Sequence, residues 1–136
     1  MKKEIKVIVS LLSMVISLPL VSCNPEPDAN TNPLVGKSFM YQDTFYLVNE
    51  ETWDSIKVYE RRTLTFQTID SGTDIEHDSS EYFSDKCGDY FKYTYENHHG
   101  SIIISCGEAI FNYKYTYNPD NKTILYDECL FSEVTE

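Results

Sequence analysis

The chain has 136 residues, of which 11 are Lys or Arg and 22 are Asp or Glu, so its formal net charge is −11. This length predicts one folded domain rather than two. The negative charge argues against nucleic acid and anionic lipid headgroups as main partners, because each would meet like charge. The hydrophobic fraction of 41% excludes a wholly disordered chain.

The N-terminus is typical of a secretory signal peptide. Lys2, Lys3 and Lys6 form a positively charged segment, and residues 7–20 are mostly apolar and carry no charge. This apolar stretch is too short to span a bilayer, which requires about 20 apolar residues. We therefore expect residues 1–22 to be cleaved from the mature protein.

The end of the signal carries a more specific motif. Leu20-Val21-Ser22-Cys23 resembles the lipobox of bacterial lipoproteins. The resemblance implies a diacyl thioether on Cys23, cleavage before this residue, and acylation of its new α-amine by a fatty acid such as palmitate. Three chains would anchor the protein firmly in a membrane, whereas one chain gives only marginal binding. The alternative is an ordinary secreted protein whose signal happens to end near a cysteine.

Residues 23–33 predict a lipidated cysteine followed by a flexible tether. This segment holds three prolines among Asn and Asp residues, a composition that disfavours regular structure. Asn24 follows the lipidated cysteine, and by analogy with lipoprotein sorting this indicates delivery to the outer membrane. Glu26 and Asp28 favour, by the same analogy, export to the cell surface over the periplasmic face.

Residues 34–136 carry the alternation of apolar and polar side chains that is typical of β-strands. Turn-forming residues at 70–73, 96–100 and 118–122 separate the alternating segments. The pattern predicts an all-β domain with little helix, built as an antiparallel meander that closes into a barrel or folds as a small β-sandwich. The alternating apolar positions are Leu64, Phe66, Phe91, Tyr93, Tyr95, Phe111, Tyr113, Tyr115 and Tyr117.

Several short segments of this domain are shared with a known group. Residues 34–39 are similar to an opening Leu-x-Gly-x-Trp strand, with Ser38 at the Trp position and Trp53 as the chain's one Trp. Together with the later hairpins, they resemble the small lipocalin-like lipoproteins of Bacteroidetes-type bacteria. The resemblance implies an eight-stranded up-and-down β-barrel, which either holds a small ligand or fills with side chains. It implies no particular activity.

Three cysteines remain once Cys23 is assigned to lipid. An oxidising compartment predicts one disulfide among them and one thiol left over. Cys87 and Cys106 flank the hairpin of residues 91–105 almost symmetrically, which favours a bridge between them. A bridge between Cys106 and Cys129 across the C-terminal hairpin is the alternative.

The sequence contains no motif of a recognised catalytic or cofactor site. It has no Gly-x-Ser-x-Gly elbow, no His-x-x-x-His pair and no glycine-rich phosphate loop. Alternation places Asp74, Glu76 and Asp78 on one side of a strand, where they either bind Ca²⁺ or form a solvated acidic strand edge. Because the acidic-edge interpretation is favoured, we expect no metal. Because no catalytic or cofactor motif is present, we also expect no cofactor and no enzymatic activity.

The aromatic stripes provide the candidate ligand-binding residues, because Tyr combines a flat apolar face with a polar tip. The same residues serve equally as the ordinary core of a small sheet. The leading hypothesis is a non-enzymatic binding module for a small apolar ligand or a glycan. The alternatives are an accessory interaction protein without a ligand and, less favoured, a small hydrolase. The candidate tyrosines are Tyr93, Tyr95, Tyr113, Tyr115 and Tyr117.

Substitution of Cys23 by Ala tests the predicted anchor. The variant is expected to lose incorporation of a labelled fatty acid, because the thiol that carries the diacyl group is absent. Labelling is followed in cells grown with an alkyne fatty acid, with Cys106→Ala as the matched control that still labels. A Cys23→Ala protein that labels like the control would contradict the assignment.

Overall fold

Alternating segments of the chain form eight antiparallel strands in the computed structural model, which describes residues 32–135. Each strand pairs with the next, and the last pairs with the first, so the sheet closes into a meander barrel. The prediction of an all-β up-and-down barrel is confirmed, and the sandwich alternative is not formed. The strands are β1 (Ser38–Val48), β2 (Ser55–Phe66), β3 (Ser71–Ser79), β4 (Ser84–Tyr93), β5 (His99–Cys106), β6 (Ala109–Asn118), β7 (Thr123–Tyr126) and β8 (Cys129–Glu133).

The predicted signal peptide, Cys23 and residues 24–31 lie outside the described residues, so these predictions stay predictions. Within the described range, no helix is both long and apolar enough to cross a membrane. Asn32 and Pro33, assigned to the tether from sequence, belong to the same compact unit as the barrel.

One end of the barrel, where β1 begins and β2 ends, is filled by aromatic side chains; we call it the closed end. Phe66 lies at its centre, with ring centroids 5.9 Å from Phe39, 5.5 Å from Phe91 and 4.8 Å from Tyr93. Such edge-to-face pairs contribute roughly 0.5–1.5 kcal/mol each beyond the burial of their surface. Val58 of β2 is also fully buried but lies outside this cluster. The other members of the cluster are Leu34, Leu64, Ile102, Ile104, Tyr115, Tyr117, Ile124, Tyr126 and Phe131.

The chain enters the barrel across this closed end. Leu34 is fully buried, and the backbone N–H of Gly36 donates to the carbonyl of Phe66 at 2.8 Å. The amide Nδ2 of Asn32 donates to the hydroxyl of Tyr93 at 2.9 Å. The segment before β1 therefore helps to close the floor of the barrel.

Gly100 permits a close approach at this end that a larger residue would prevent. A Cβ at this position would overlap the carbonyl oxygen of Thr94 and lie 2.6 Å from the Tyr115 ring. That ring is itself fixed, because the Tyr115 hydroxyl donates to the Thr94 carbonyl at 2.7 Å. The absence of a side chain on Gly100 thus lets β5 and the Tyr115 ring pack together.

The other end, the open end, is incompletely paired. β1 pairs with β2 along its full length, from Ser38–Thr65 to Val48–Ser55, but with β8 only at Phe39 and Met40. β4 pairs with β5 only through residues 91–93. Among the described residues, the ends of β1 to β4 therefore extend past the barrel as a four-stranded sheet. We call this the distal sheet, residues 43–48, 55–60, 76–79 and 84–87.

The predicted disulfide is not formed. Cys87, Cys106 and Cys129 are free thiols in the structure, so neither the Cys87–Cys106 bridge nor its Cys106–Cys129 alternative is supported, and both stay predictions. The β4–β5 ladder pairs Phe91 with Ile104, and this register, if continued, would place Cys106 opposite Asp89 rather than Cys87. The strands also separate before they reach this level.

Substitution of Gly100 by Ala is expected to lower the free energy of unfolding by about 1–3 kcal/mol, because a methyl group is forced into a packed site. Chemical denaturation measures the change. Gly88→Ala is the matched control in a neighbouring strand, since its Cβ would make an ordinary 3.4 Å contact with Ile75. Equal stability of the two variants would contradict the packing argument.

Candidate functional site

A buried ion pair separates the packed half of the barrel from its open half. Arg62 of β2 donates from Nε to Asp74 Oδ1 at 3.0 Å and from Nη2 to Asp74 Oδ2 at 2.7 Å. Its Nη1 donates to Asp127 at 3.1 Å. The guanidinium lies 4.9 Å from the ring centroid of Tyr126 and 5.9 Å from that of Phe131. Arg62 thereby marks the boundary between the open end and the packed core.

The charge on Arg62 is compensated within the barrel. Burial alone would lower the pKa of Arg62, but hydrogen bonds and charge from Asp74, with further hydrogen bonding from Asp127, raise it above the ordinary arginine value. A bidentate arginine–carboxylate pair is among the strongest hydrogen-bonded arrangements in proteins. Arg62 therefore has little capacity left to bind an anionic ligand.

Acidic side chains line the inner face of the sheet above this pair. Residues paired directly across an antiparallel sheet share a face, and Glu60 pairs with Asp43 on one side and Asp78 on the other. By the same alternation, Lys57, Arg61 and Lys86 lie on the outer face. The inner carboxylates are Asp43, Glu60, Glu76, Asp78, Asp85 and Asp89.

These carboxylates are not fully compensated. Burial raises the pKa of Glu60, and the negative charges of Glu76 and Asp78 raise it further. Oδ1 of Asp78 is buried without a hydrogen-bond partner. In contrast, the pKa of Asp43 is lowered because its carboxylate accepts from the backbone N–H of Thr44 and from the Tyr41 hydroxyl. The inner face of the distal sheet thus carries negative charge that suits a cation.

The tip of the distal sheet exposes large apolar side chains among polar turn residues. Trp53, in the turn between β1 and β2, is 81% exposed, and Tyr82, in the turn between β3 and β4, is 71% exposed. Leu47 and Val48 at the end of β1 are exposed as well. An open groove of about 700 Å³ lies at this tip and is lined by Trp53, Ile56 and Tyr82. Exposed apolar patches of this kind mark interaction surfaces.

The backbone of Trp53 is strained. Its φ angle is +60°, in the left-handed region that a bulky residue rarely adopts. The turn imposes this geometry, because the Trp53 N–H donates to the Asn49 carbonyl at 2.7 Å. The Asn49 side chain accepts from the backbone N–H of Glu51 at 2.9 Å. The turn therefore holds an unfavourable residue in a fixed, solvent-facing position.

A small polar cavity lies where β4 and β5 separate. Its volume is about 200 Å³, below the roughly 300–1,000 Å³ of typical small-molecule sites. Cys87, Cys106, Glu76 and Asp89 contribute to its lining. Among the described residues, no group of three or more His, Cys, Asp or Glu side chains is arranged to hold a metal ion.

The predicted tyrosines mostly serve the core. Tyr93, Tyr115 and Tyr117 are 2–4% exposed, and the hydroxyls of Tyr93 and Tyr115 donate to the backbone carbonyls of Thr68 and Thr94. Tyr95 and Tyr113 are partly buried and pack against the same core. Three of the five therefore have almost no surface with which to contact a ligand, and ligand binding by the set stays a prediction.

Asp74, Glu76 and Asp78 share the inner face, as alternation predicted, but not at a strand edge. β3 pairs with β2 on one side and β4 on the other, so the interpretation as a solvated edge is wrong. Asp74 is buried against Arg62 instead. The sequence did not single out Arg62 or the tip residue Trp53 as functional. For Arg62 a signal was available, because it is a charged residue between the apolar positions Val58 and Leu64.

Comparisons of the chain with protein-family models, curated proteins and solved structures gave no match. Function is therefore inferred from the geometry of the barrel itself.

Substitution of Glu60 by Gln tests the uncompensated charge. The folded state raises the pKa of Glu60 above 4.5, so folding favours the protonated side chain. The stability that Glu60 contributes is therefore fully present below pH 4.5 and is lost as the pH rises through the raised pKa. Glu60→Gln is therefore expected to be more stable than the parent at pH 7 and equal to it below pH 4.5.

Chemical denaturation at both pH values measures this difference, and Asp43→Asn is a control of opposite sign. The lowered pKa of Asp43 makes that variant less stable than the parent at pH 7, while the difference disappears at low pH. A Glu60→Gln variant that is destabilised at pH 7 would contradict the raised pKa of Glu60.

Proposed function

We propose that this chain is a lipid-anchored, non-enzymatic interaction module that binds a partner protein through the tip of its distal sheet. The anchor is a lipidated Cys23, and the location is the outer membrane, at its periplasmic face or at the cell surface. The observation that carries the proposal is Trp53, which is strained and exposed at once.

Trp53 contributes little to the stability of the barrel. With 81% of its surface exposed it gains little from burial, and its positive φ costs about 1–3 kcal/mol. The exposed turn residues Lys122 and Glu128 also have a positive φ, so the distinguishing feature of Trp53 is its large exposed apolar side chain. Trp is also among the residues most enriched at the energetic centres of protein interfaces. Tyr82 and the end of β1 extend the apolar surface beside it.

The interior of the barrel supports a protein partner over a small apolar ligand. The closed end is filled by aromatic side chains. Of two cavities towards the open end, one is about 200 Å³ and the other, about 480 Å³, is open and polar, and both have acidic residues in their lining. An apolar ligand would require a cavity with a mostly apolar lining. A glycan bound by the predicted tyrosine set would require these side chains to be exposed, but Tyr93, Tyr115 and Tyr117 are buried.

The point at which the chain enters the barrel also suits this role. Asn32 and Leu34 pack at the closed end, so a tether that begins at Cys23 joins the barrel at the end opposite to Trp53. The long strands β1 and β2 then carry the tip away from the point of attachment. An anchored protein with this arrangement presents its apolar tip to partners.

Substitution of Trp53 by Asn separates stability from binding. Asn tolerates the left-handed backbone, so the variant is expected to gain about 1 kcal/mol of unfolding free energy as strain is relieved. A photo-crosslinking residue at position 52 in intact cells is expected to give a discrete protein adduct, and Trp53→Asn is expected to abolish it.

The matched control carries the same crosslinker at position 121, in the turn between β6 and β7 at the closed end, and should give no adduct. Equal adducts from positions 52 and 121, or an adduct that survives Trp53→Asn, would overturn the proposal. Denaturation of the purified variant confirms that loss of the adduct does not reflect unfolding.

A further inference from the structure

We infer that the free edge of β1 binds an extended segment of the partner as an added strand, and that the inward-facing positions of this segment carry one basic side chain followed by apolar ones. The inference rests on the proposed function and specifies the chemistry of its partner. Three observations carry it: an unpaired backbone edge, an uncharged stretch of that edge beyond Asp43, and an acidic inner face beside it.

The backbone of β1 beyond Met40 has hydrogen-bonding capacity on one side. Lys37 and Asn49 both bond to the β2 side, the first to Phe66 and the second to Asp54, and the register between them is constant. Bonded residues alternate in an antiparallel ladder. The even-numbered positions beyond Met40 therefore direct their N–H and C=O groups away from β2, towards a side with no strand in the described structure. These positions are Gln42, Thr44, Tyr46 and Val48.

This edge is not protected against strand addition. Proteins usually shield a free edge with charges, proline or short length, and the opposite free edge, residues 84–90 of β4, carries Asp85, Lys86 and Asp89. Beyond Asp43, β1 instead continues through Thr44, Phe45, Tyr46, Leu47 and Val48, which favour β-structure and carry no charge. An extended peptide gains main-chain hydrogen bonds at such an edge, and side-chain pockets give specificity.

The inner face beside this edge determines the chemistry of the added strand. Its side chains would alternate between the outer face and the inner face, where Asp43, Phe45 and Leu47 lie. Asp43 and Glu60 are paired neighbours, and Glu60 already bears the repulsion that raises its pKa. A basic side chain next to Asp43 would reduce this repulsion, and an apolar one next to Phe45 or Leu47 would bury exposed surface.

A second copy of this chain is a less suitable occupant of the same edge. Each copy has a formal net charge of −11, and pairing of two β1 edges would bring two acidic inner faces together. Like charges brought together across an interface oppose association. A basic segment gains electrostatic attraction where a second copy meets repulsion.

Binding of a synthetic peptide to the full-length chain in detergent micelles tests this inference. The probe is a fluorescein-labelled peptide in which one lysine and two valines occupy alternate positions separated by threonine, called the lysine–valine peptide, and anisotropy measures its affinity at low salt. Binding is expected to weaken about tenfold when Thr44→Pro and Tyr46→Pro together remove two edge N–H donors. The same peptide with N-methylated backbone amides should lose a similar factor, and this second measurement leaves the protein unchanged.

Charge is tested by a pair of double variants. Asp43→Asn with Glu60→Gln is expected to weaken lysine–valine binding several-fold and to reduce its dependence on salt. Glu96→Gln with Asp120→Asn removes the same charge from loops at the closed end and should leave affinity unchanged. The same peptide with glutamate in place of lysine, the glutamate–valine peptide, should not bind to the parent protein.

The inference is overturned if the N-methylated peptide binds as well as the parent peptide, or if the glutamate–valine peptide binds. It is also overturned if sedimentation shows a dimer that Tyr46→Pro dissociates, since the occupant is then a second copy. An adduct that depends on Trp53, together with no peptide binding, rejects this inference but keeps the proposed function. Peptide binding without that adduct rejects the role of Trp53 at the tip.

Discussion

The unequal length of the strands is the constraint on which the rest of this structure depends. β1 and β2 have 11 and 12 residues, whereas β7 and β8 have 4 and 5. A strand rises about 3.3 Å per residue, so the short strands can close the barrel only along part of the long ones. The closed end receives neighbours on every side and packs, while the distal sheet keeps unpaired edges and an inner face that carries carboxylates beside the buried Val58.

The Arg62–Asp74 pair marks the boundary between these two environments. Below it, apolar rings exclude water and the tyrosine hydroxyls of Tyr93 and Tyr115 bond to backbone carbonyls. Above it, carboxylates such as Glu60 and Asp78 occupy inward positions that a filled barrel would give to apolar residues. Breaking a buried pair leaves an uncompensated charge and commonly costs about 3–5 kcal/mol. The apolar core therefore stops at the Arg62–Asp74 pair, and charged residues occupy the inward positions beyond it.

Stability and interaction capacity are accordingly placed at opposite ends of the molecule. The floor, where Leu34 is buried and Gly100 allows close packing, holds the fold together. The tip, where Trp53 adopts a strained backbone and is exposed, contributes little to it. This division lets the tip tolerate strain and uncompensated charge, because the packed closed end supplies the free energy of folding independently. The proposed role of the tip in binding a partner rests on this division.

The sequence by itself determined the strands and their faces, because alternation is a local property of an extended chain; it predicted Phe91, Tyr93, Tyr115 and Tyr117 on common faces and an all-β barrel. Its lipobox likewise predicted the anchor at Cys23, which stays a prediction. Only the tertiary structure decided register and burial, because both depend on strands that are distant in the chain. Cys87 and Cys106 are unpaired in the structure, where β4 and β5 separate first. The alternation of aromatic residues was compatible with either a core or a ligand site. Closure of the barrel buried most of these rings in the core.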